Sequence, residues 1–150
     1  MSQETVKAAL VQAITGIQSN PAGAKVVFRA ETQLESDVRC SAKVRDFAPL
    51  IIDEPPELGG GDAGVNPVEL VLVALGTCQE IMYSAYASVM GVQLNKVKVH
   101  LRGYLDLRGL LSMDPAISSG YQKITFETEV DSPAEPPRVS WRPFGLSAGR

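Results

Sequence analysis

The stretch Val68–Cys78, VELVLVALGTC, limits this chain more than any other feature, because read as a helix it is apolar on nearly every side. A helix of that kind is normally buried all round rather than half exposed. Asn66-Pro67-Val68-Glu69 marks its start, with Asn66 as N-cap, Pro67 in the first helical position and Glu69 completing a capping-box-like pattern. Gly91 is a C-cap, so the spacing predicts one helix from about Pro67 to Met90. The chain has 150 residues, about one domain, and buries roughly two thirds of its unfolded surface on folding. That is a small body of protein with which to surround such a helix.

The flanking segments alternate in hydropathy. KVVFRAETQL from Lys25, VRCSAKVRDF and the short apolar run PLIID read as a three-stranded meander. After the helix, LNKVKVHLRGYLDLRG places Val97, Val99 and Leu101 on one face and Lys96, Lys98 and His100 on the other, and YQKITFETEV is a second strand. Val6, Leu10, Ala13, Ile14 and Ile17 recur at three- and four-residue steps, which predicts a short amphipathic helix ending near Ser19-Asn20-Pro21. The order of helix, three strands, long helix and two strands is an α+β pattern with helices segregated from antiparallel sheet. Residues 1–24 form a helical extension, 25–132 the main domain and 133–150 a proline-rich, aperiodic tail that reads as disordered or truncated.

Composition excludes several functions. Lys and Arg total 14 against 17 Asp and Glu, a net charge of −3, so no global positive field exists to hold nucleic acid or an anionic membrane. His100 is the only histidine, and with Cys40 and Cys78 it has no zinc-ligand spacing, so no metal is expected. Gly59, Gly61 and Gly64 match GxGxxG, yet no strand abuts the first glycine and no βαβ unit follows, so no nucleotide cofactor is expected either. EPPELGGGDAGVNP reads instead as a flexible loop at the mouth of the long helix. The N-terminus lacks a basic n-region and an unbroken apolar run, and two cysteines make no disulfide framework. The expectation is a soluble, cytoplasmic protein.

Cys78 is the residue whose placement invites chemistry, a thiol on the long helix beside Gly76 and Thr77 and after the glycine loop. The competing reading is a small buried hydrophobe, which free cysteine often is. A reactive thiol needs a neighbouring positive charge to hold its thiolate, and Asn66 lies about 18 Å back along the helix axis, too far for the helix N-terminus to act. An arginine must act instead, and Arg29, Arg39 and Arg45 all fall on the meander, with nothing in the spacing to choose between them. Glu69 either orients such an arginine or serves only as the cap. His100 reads as a solvated strand residue, and Met82, Tyr83 and Tyr86 as core or interface packing.

DEPPELGGGDAGVNPVELVLVALGTCQEI resembles the signature stretch of the OsmC/Ohr superfamily, the osmotically inducible and organic-hydroperoxide-resistance proteins. The likeness covers roughly Lys25 to Pro133 and is nearest to the branch with NPVEL in place of NPE. It implies an α+β fold in which antiparallel sheets wrap around long central helices in an intertwined homodimer, with two active sites at the interface. It implies that Cys78 is the peroxidatic residue, attacking an organic hydroperoxide to leave a sulfenic acid, with an arginine from the N-terminal strands, matched here by Arg39, holding the thiolate. The alternative is a non-catalytic dimeric binding or structural module with Cys78 inert.

The chain departs from the pattern twice. The acidic residue that follows Asn-Pro directly in the peroxidase branches is Val68 here, and Glu69 sits about 100° further round the helix. The family helix with a resolving Cys-Pro pair is missing, and prolines from Pro133 onward stand in its place. Turnover is therefore expected to be impaired, or to need an external thiol or dithiol reductant. Cys40 would resolve Cys78 only if the two Cα atoms came within about 7 Å.

Overall fold

A computed structural model describes residues 2–134. Helix α1 spans Gln3–Ser19, strands β1, β2 and β3 span Glu31–Ser36, Arg39–Lys43 and Leu50–Ile52, and helix α2 spans Pro67–Met90. Strand β4 follows at Lys96–Leu105, a single helical turn α3 at Leu107–Leu110, and strand β5 at Tyr121–Asp131. Helix α1, the long helix and the five strands follow the expected order, and the α+β class stands.

The first strand differs from its expected bounds. KVVFRA alternates in hydropathy, but residues 25–30 lie outside any sheet, and Phe28 is 92% and Val27 71% exposed. Alternation shows that a segment suits a sheet edge; it does not supply the neighbouring strand that fixes it there. Likewise VRCSAKVRDF leaves its strand after Lys43, because Arg45 takes a left-handed conformation (φ 52°) and lays its guanidinium over the Phe47 ring, 4.5 Å from the centroid. Beyond Leu105, which ends β4, DLRG is a capped turn rather than strand. Asp106 accepts from the Arg108 backbone N–H at 3.0 Å and pairs with its guanidinium at 2.6 Å.

Two separate antiparallel sheets result, β1-β2-β3 and β4-β5. In the first, Leu34 faces Cys40 and Cys40 faces Ile52, after a hairpin turned through Asp37 (φ 48°). In the second, Lys96 faces Asp131, Lys98 faces Glu129 and His100 faces Glu127 along the outer side. His100 Nε2 reaches Glu129 Oε1 at 3.1 Å, and Lys123 lies 5.8 Å from the Tyr104 ring. That face is a ladder of opposed charges suited to water. The inner side carries Val97, Val99 and Leu101 toward α2, as expected.

Helix α2 forms where the local chemistry predicts. Asn66 Oδ1 accepts from Glu69 N at 2.8 Å, Glu69 Oε2 accepts from Asn66 N at 3.0 Å, and Gly91 closes the other end at φ 70°. One side of α2 packs on β4. Buried Gly76 lets Leu101 approach so closely that a Cβ there would sit 2.7 Å from Leu101 Cδ1, and Glu80 Oε1 accepts from the Val99 N–H at 3.2 Å. The beginning of α1 also packs on α2, and Gln3 Nε2 donates to Val92 O at 2.8 Å. The three-stranded sheet has no comparable packing on α2.

The rest of α2 is open. Val71, Val73, Leu75, Ile81, Met82, Tyr83 and Met90 are all exposed, and among the described residues Ile52 and Ala87 are the buried hydrophobics. By length and composition α2 also meets the requirement for crossing a bilayer, a test that the central helix of a soluble protein passes equally. The expected tail lies, from residue 135 on, outside the described residues.

Candidate functional site

The site is built around the open face of α2. Cys78 is a free, exposed thiol. At 100° per residue, Val71, Ala74, Leu75, Ile81 and Met82 fall within about 60° of it. Ile81 is 66% exposed. The thiol thus sits midway along an apolar stripe, on the side of the helix away from Gly76 and β4. No hydrogen bond to Cys78 Sγ is formed among the described residues.

The other expected residues stand elsewhere in the chain. Glu69 is engaged in the capping box at the first turn of α2, and its charge lies near the Tyr121 hydroxyl. Burial, and then that charge, push the Tyr121 phenol above its ordinary value, while its O–H donates to Val68 O at 2.8 Å. Arg39 begins β2, on the three-stranded sheet, which packs on α2 far less closely than β4 does. Arg29 is exposed in the extended segment before β1, and Arg45 is stacked on Phe47. Cys40, half-buried in the middle strand, is also a free thiol. His100 faces solvent beside Glu129, as expected of a solvated strand residue.

Asp53 is the residue that sequence reasoning missed. It is buried, at 3% exposed, immediately after β3. Its Oδ1 accepts from Glu54 N at 2.9 Å, and its Oδ2 accepts from Gly61 N and Ala63 N, both at 3.1 Å. These N–H donors, that of Ala63 foremost, hold its carboxyl below the usual carboxylate range, with Arg39's charge adding to the effect and burial opposing it. The glycine loop is therefore a closed structure. Gly60 crosses the Glu54 carbonyl and Gly64 the Ile51 carbonyl too closely for any Cβ, and Val65 bridges to Ile52 beside the N-cap of α2. An acidic residue directly before a Pro- and Gly-rich run, where short carboxylates commonly accept loop amides, was the available signal.

Chemically, the arrangement offers a reachable thiol in apolar surroundings midway along α2 and a closed loop at the N-terminal end of the same helix. Among the described residues no group of three or more His, Cys, Asp or Glu is placed to hold a metal ion.

Comparison with known proteins follows the same outline. The family model described as OsmC-like protein matches residues 59–140, more than half of the chain. Among solved structures, an OsmC-like protein from Mycoplasma pneumoniae is similar at 18% identity and TM-score 0.62, covering 74% of this chain and 73% of its own. An OsmC-like protein of unknown function from Vibrio cholerae is similar at 11% identity and TM-score 0.59, covering 75% and 80%. An organic hydroperoxide resistance protein OsmC from Legionella pneumophila is similar at 18% identity and TM-score 0.52, covering 71% and 73%. These likenesses establish a shared fold. No curated protein matches the chain.

Proposed function

The chain belongs to the OsmC-like protein family, and on that premise we propose that it reduces organic hydroperoxides through Cys78 as a cytoplasmic homodimer. The observation that carries the reading is Cys78 itself, a free and exposed thiol at the centre of the apolar, open face of α2. Such surroundings favour an alkyl or lipid-derived peroxide over hydrogen peroxide, since an apolar tail gains about 25 cal/mol per Å² buried.

In the proposed reaction the Cys78 thiolate attacks the distal oxygen of the hydroperoxide. The O–O bond breaks, the alkoxide leaves and takes a proton to become the alcohol, and the sulfur, oxidised, becomes a sulfenic acid. A thiol of an external dithiol then displaces water to form a mixed disulfide. Its second thiol releases Cys78 reduced and leaves as a disulfide.

The dimer is supported by what one chain leaves uncovered. Among the described residues the three-stranded sheet has no helix packed closely on it, and the open side of α2 carries exposed valine, leucine, isoleucine and methionine. A second copy supplies both needs and allows Arg39 of one subunit to approach Cys78 of the other. Replacing Cys78 by Ser tests the reading: the variant is expected to stay dimeric by sedimentation and to lose stoichiometric consumption of cumene hydroperoxide. Unchanged consumption would reject Cys78.

A second reading, a non-catalytic dimeric binding module, draws on the engagement of Glu69 in its cap and the position of Arg39 beside Asp53. An iodoacetamide reaction at Cys78 whose rate still climbs beyond pH 8.5 favours that module. A rate that levels off below pH 7 favours the peroxidase.

A further inference from the structure

We propose that Asp53 is a positioning residue that couples two parts of the site, holding the glycine loop shut on β3 and orienting the Arg39 guanidinium from the opposite strand. The inference rests on the reading of Cys78 as a peroxidatic thiol served by Arg39, and it goes beyond that reading by naming the carboxylate that does the orienting.

An arginine beginning an exposed strand has many rotamers, and one that is to hold a thiolate needs a partner to restrict it. Glu69 is the acidic residue that its position after Asn-Pro suggests, but one of its oxygens accepts from Asn66 N at 3.0 Å, and it is tied to the first turn of α2. Asp53 stands where Glu69 does not. Cys40 pairs with Ile52 as the last rung of that antiparallel ladder, so Arg39 and Asp53 stand next to each other just beyond it, and the Arg39 charge acts on the Asp53 carboxyl without an ion pair forming within one chain.

The carboxylate is also fixed in place. Three backbone N–H groups, from Glu54, Gly61 and Ala63, hold it at 3% exposure. Two oxygens offer about four lone-pair sites and three are taken, which leaves one for a guanidinium N–H. Because Gly61 and Ala63 lead through Val65 to the N-cap Asn66, the same carboxylate also sets the loop at the head of α2. Loop closure and the direction of the cation thus depend on one side chain.

The test uses the full-length protein in two measurements. In the first, ¹⁵N relaxation of Arg39 Nε–H is expected to report a restricted side chain in the wild type and a mobile one in Asp53→Asn. An Arg39 as mobile in the wild type as in the variant overturns the proposal. Should Asp53→Asn not fold, Arg39→Gln supplies the converse: the Asp53 carboxyl is expected to titrate at higher pH than in the wild type, and an unmoved titration overturns the proposal.

The second measurement is the rate of Cys78 oxidation by cumene hydroperoxide. Asp53→Asn and Arg39→Gln are each expected to slow it about tenfold, and the double variant is expected to be no slower than Arg39→Gln alone. A multiplied loss of about a hundredfold would assign Asp53 to the loop only and overturn the coupling. A wild-type protein inert to cumene hydroperoxide would instead defeat the peroxidase reading, while the Arg39 relaxation still decides the role of Asp53.

Discussion

Replacing Gly103 with Ala tests the latch between the β4-β5 hairpin and α2. A Cβ at Gly103 would fall against the Tyr121 ring, 2.6 Å from Cζ and 2.9 Å from Cδ1. Ordinary carbon contacts lie at about 3.5–4.0 Å, so the ring must move by about 1 Å. The ring has little freedom to do so, because its O–H is held at 2.8 Å by Val68 O. Loss of that bond costs about 1 kcal/mol. Re-exposing about 60 Å², a third of what an aromatic side chain typically buries, costs about 1.5 kcal/mol more. Alanine recovers about 0.5–1 kcal/mol relative to glycine in a strand, which leaves a net destabilisation of about 2 kcal/mol. Urea unfolding followed by circular dichroism, at one protein concentration because the stability of the proposed dimer would depend on it, is expected to show a lower midpoint with an unchanged slope. The same substitution in a Tyr121→Ala background has no ring to strike and is expected to be neutral, or stabilising by up to about 1 kcal/mol. An equal loss in both backgrounds would refute the steric account.

Two further outcomes follow from the caps and the buried carboxylate. Asn66→Ala removes the acceptor for Glu69 N and is expected to cost about 1 kcal/mol, lowering the melting temperature by about 2–4 °C in scanning calorimetry. Asp53 has its carboxyl held below the usual range, so its contribution is present above the unfolded value near 3.9 and is lost as pH falls through the lower, folded value. Native-state hydrogen exchange read at the Gly61 and Ala63 amides should therefore reveal protection that weakens in acid below about pH 4. In Asp53→Asn that acid-dependent step should be absent, and a wild-type loop equally protected on both sides of the step would contradict the assignment.

Features decided by short-range chemistry were legible in the sequence. Asn66, Pro67, Glu69 and Gly91 bound α2 because caps depend on residues three or four apart. The inward face of β4 was legible because a single period of two defines it. Residues 25–30 were misread because a strand needs a neighbour, and the hydropathy of Val26, Val27 and Phe28 carries no information about where that neighbour is. Asp53 escaped notice because its three donors lie one, eight and ten residues ahead, and only the crossing of Gly60 and Gly64 over the backbone brings the distant two to it. For the candidate site, Cys78 stood out as a thiol on an apolar helix. Which arginine serves it did not, because the β1-β3 sheet and α2 meet no more closely within the chain than they do in the sequence.

The separation of the β1-β3 sheet from α2 has a kinetic consequence. If the sheet finds its helix only on another copy, the last step of folding is bimolecular and its rate scales with the square of subunit concentration. Newly made chains would then spend longer unpaired when expression is low, and pair steeply faster as their abundance rises. The amount of protein synthesised would itself act as the on-switch.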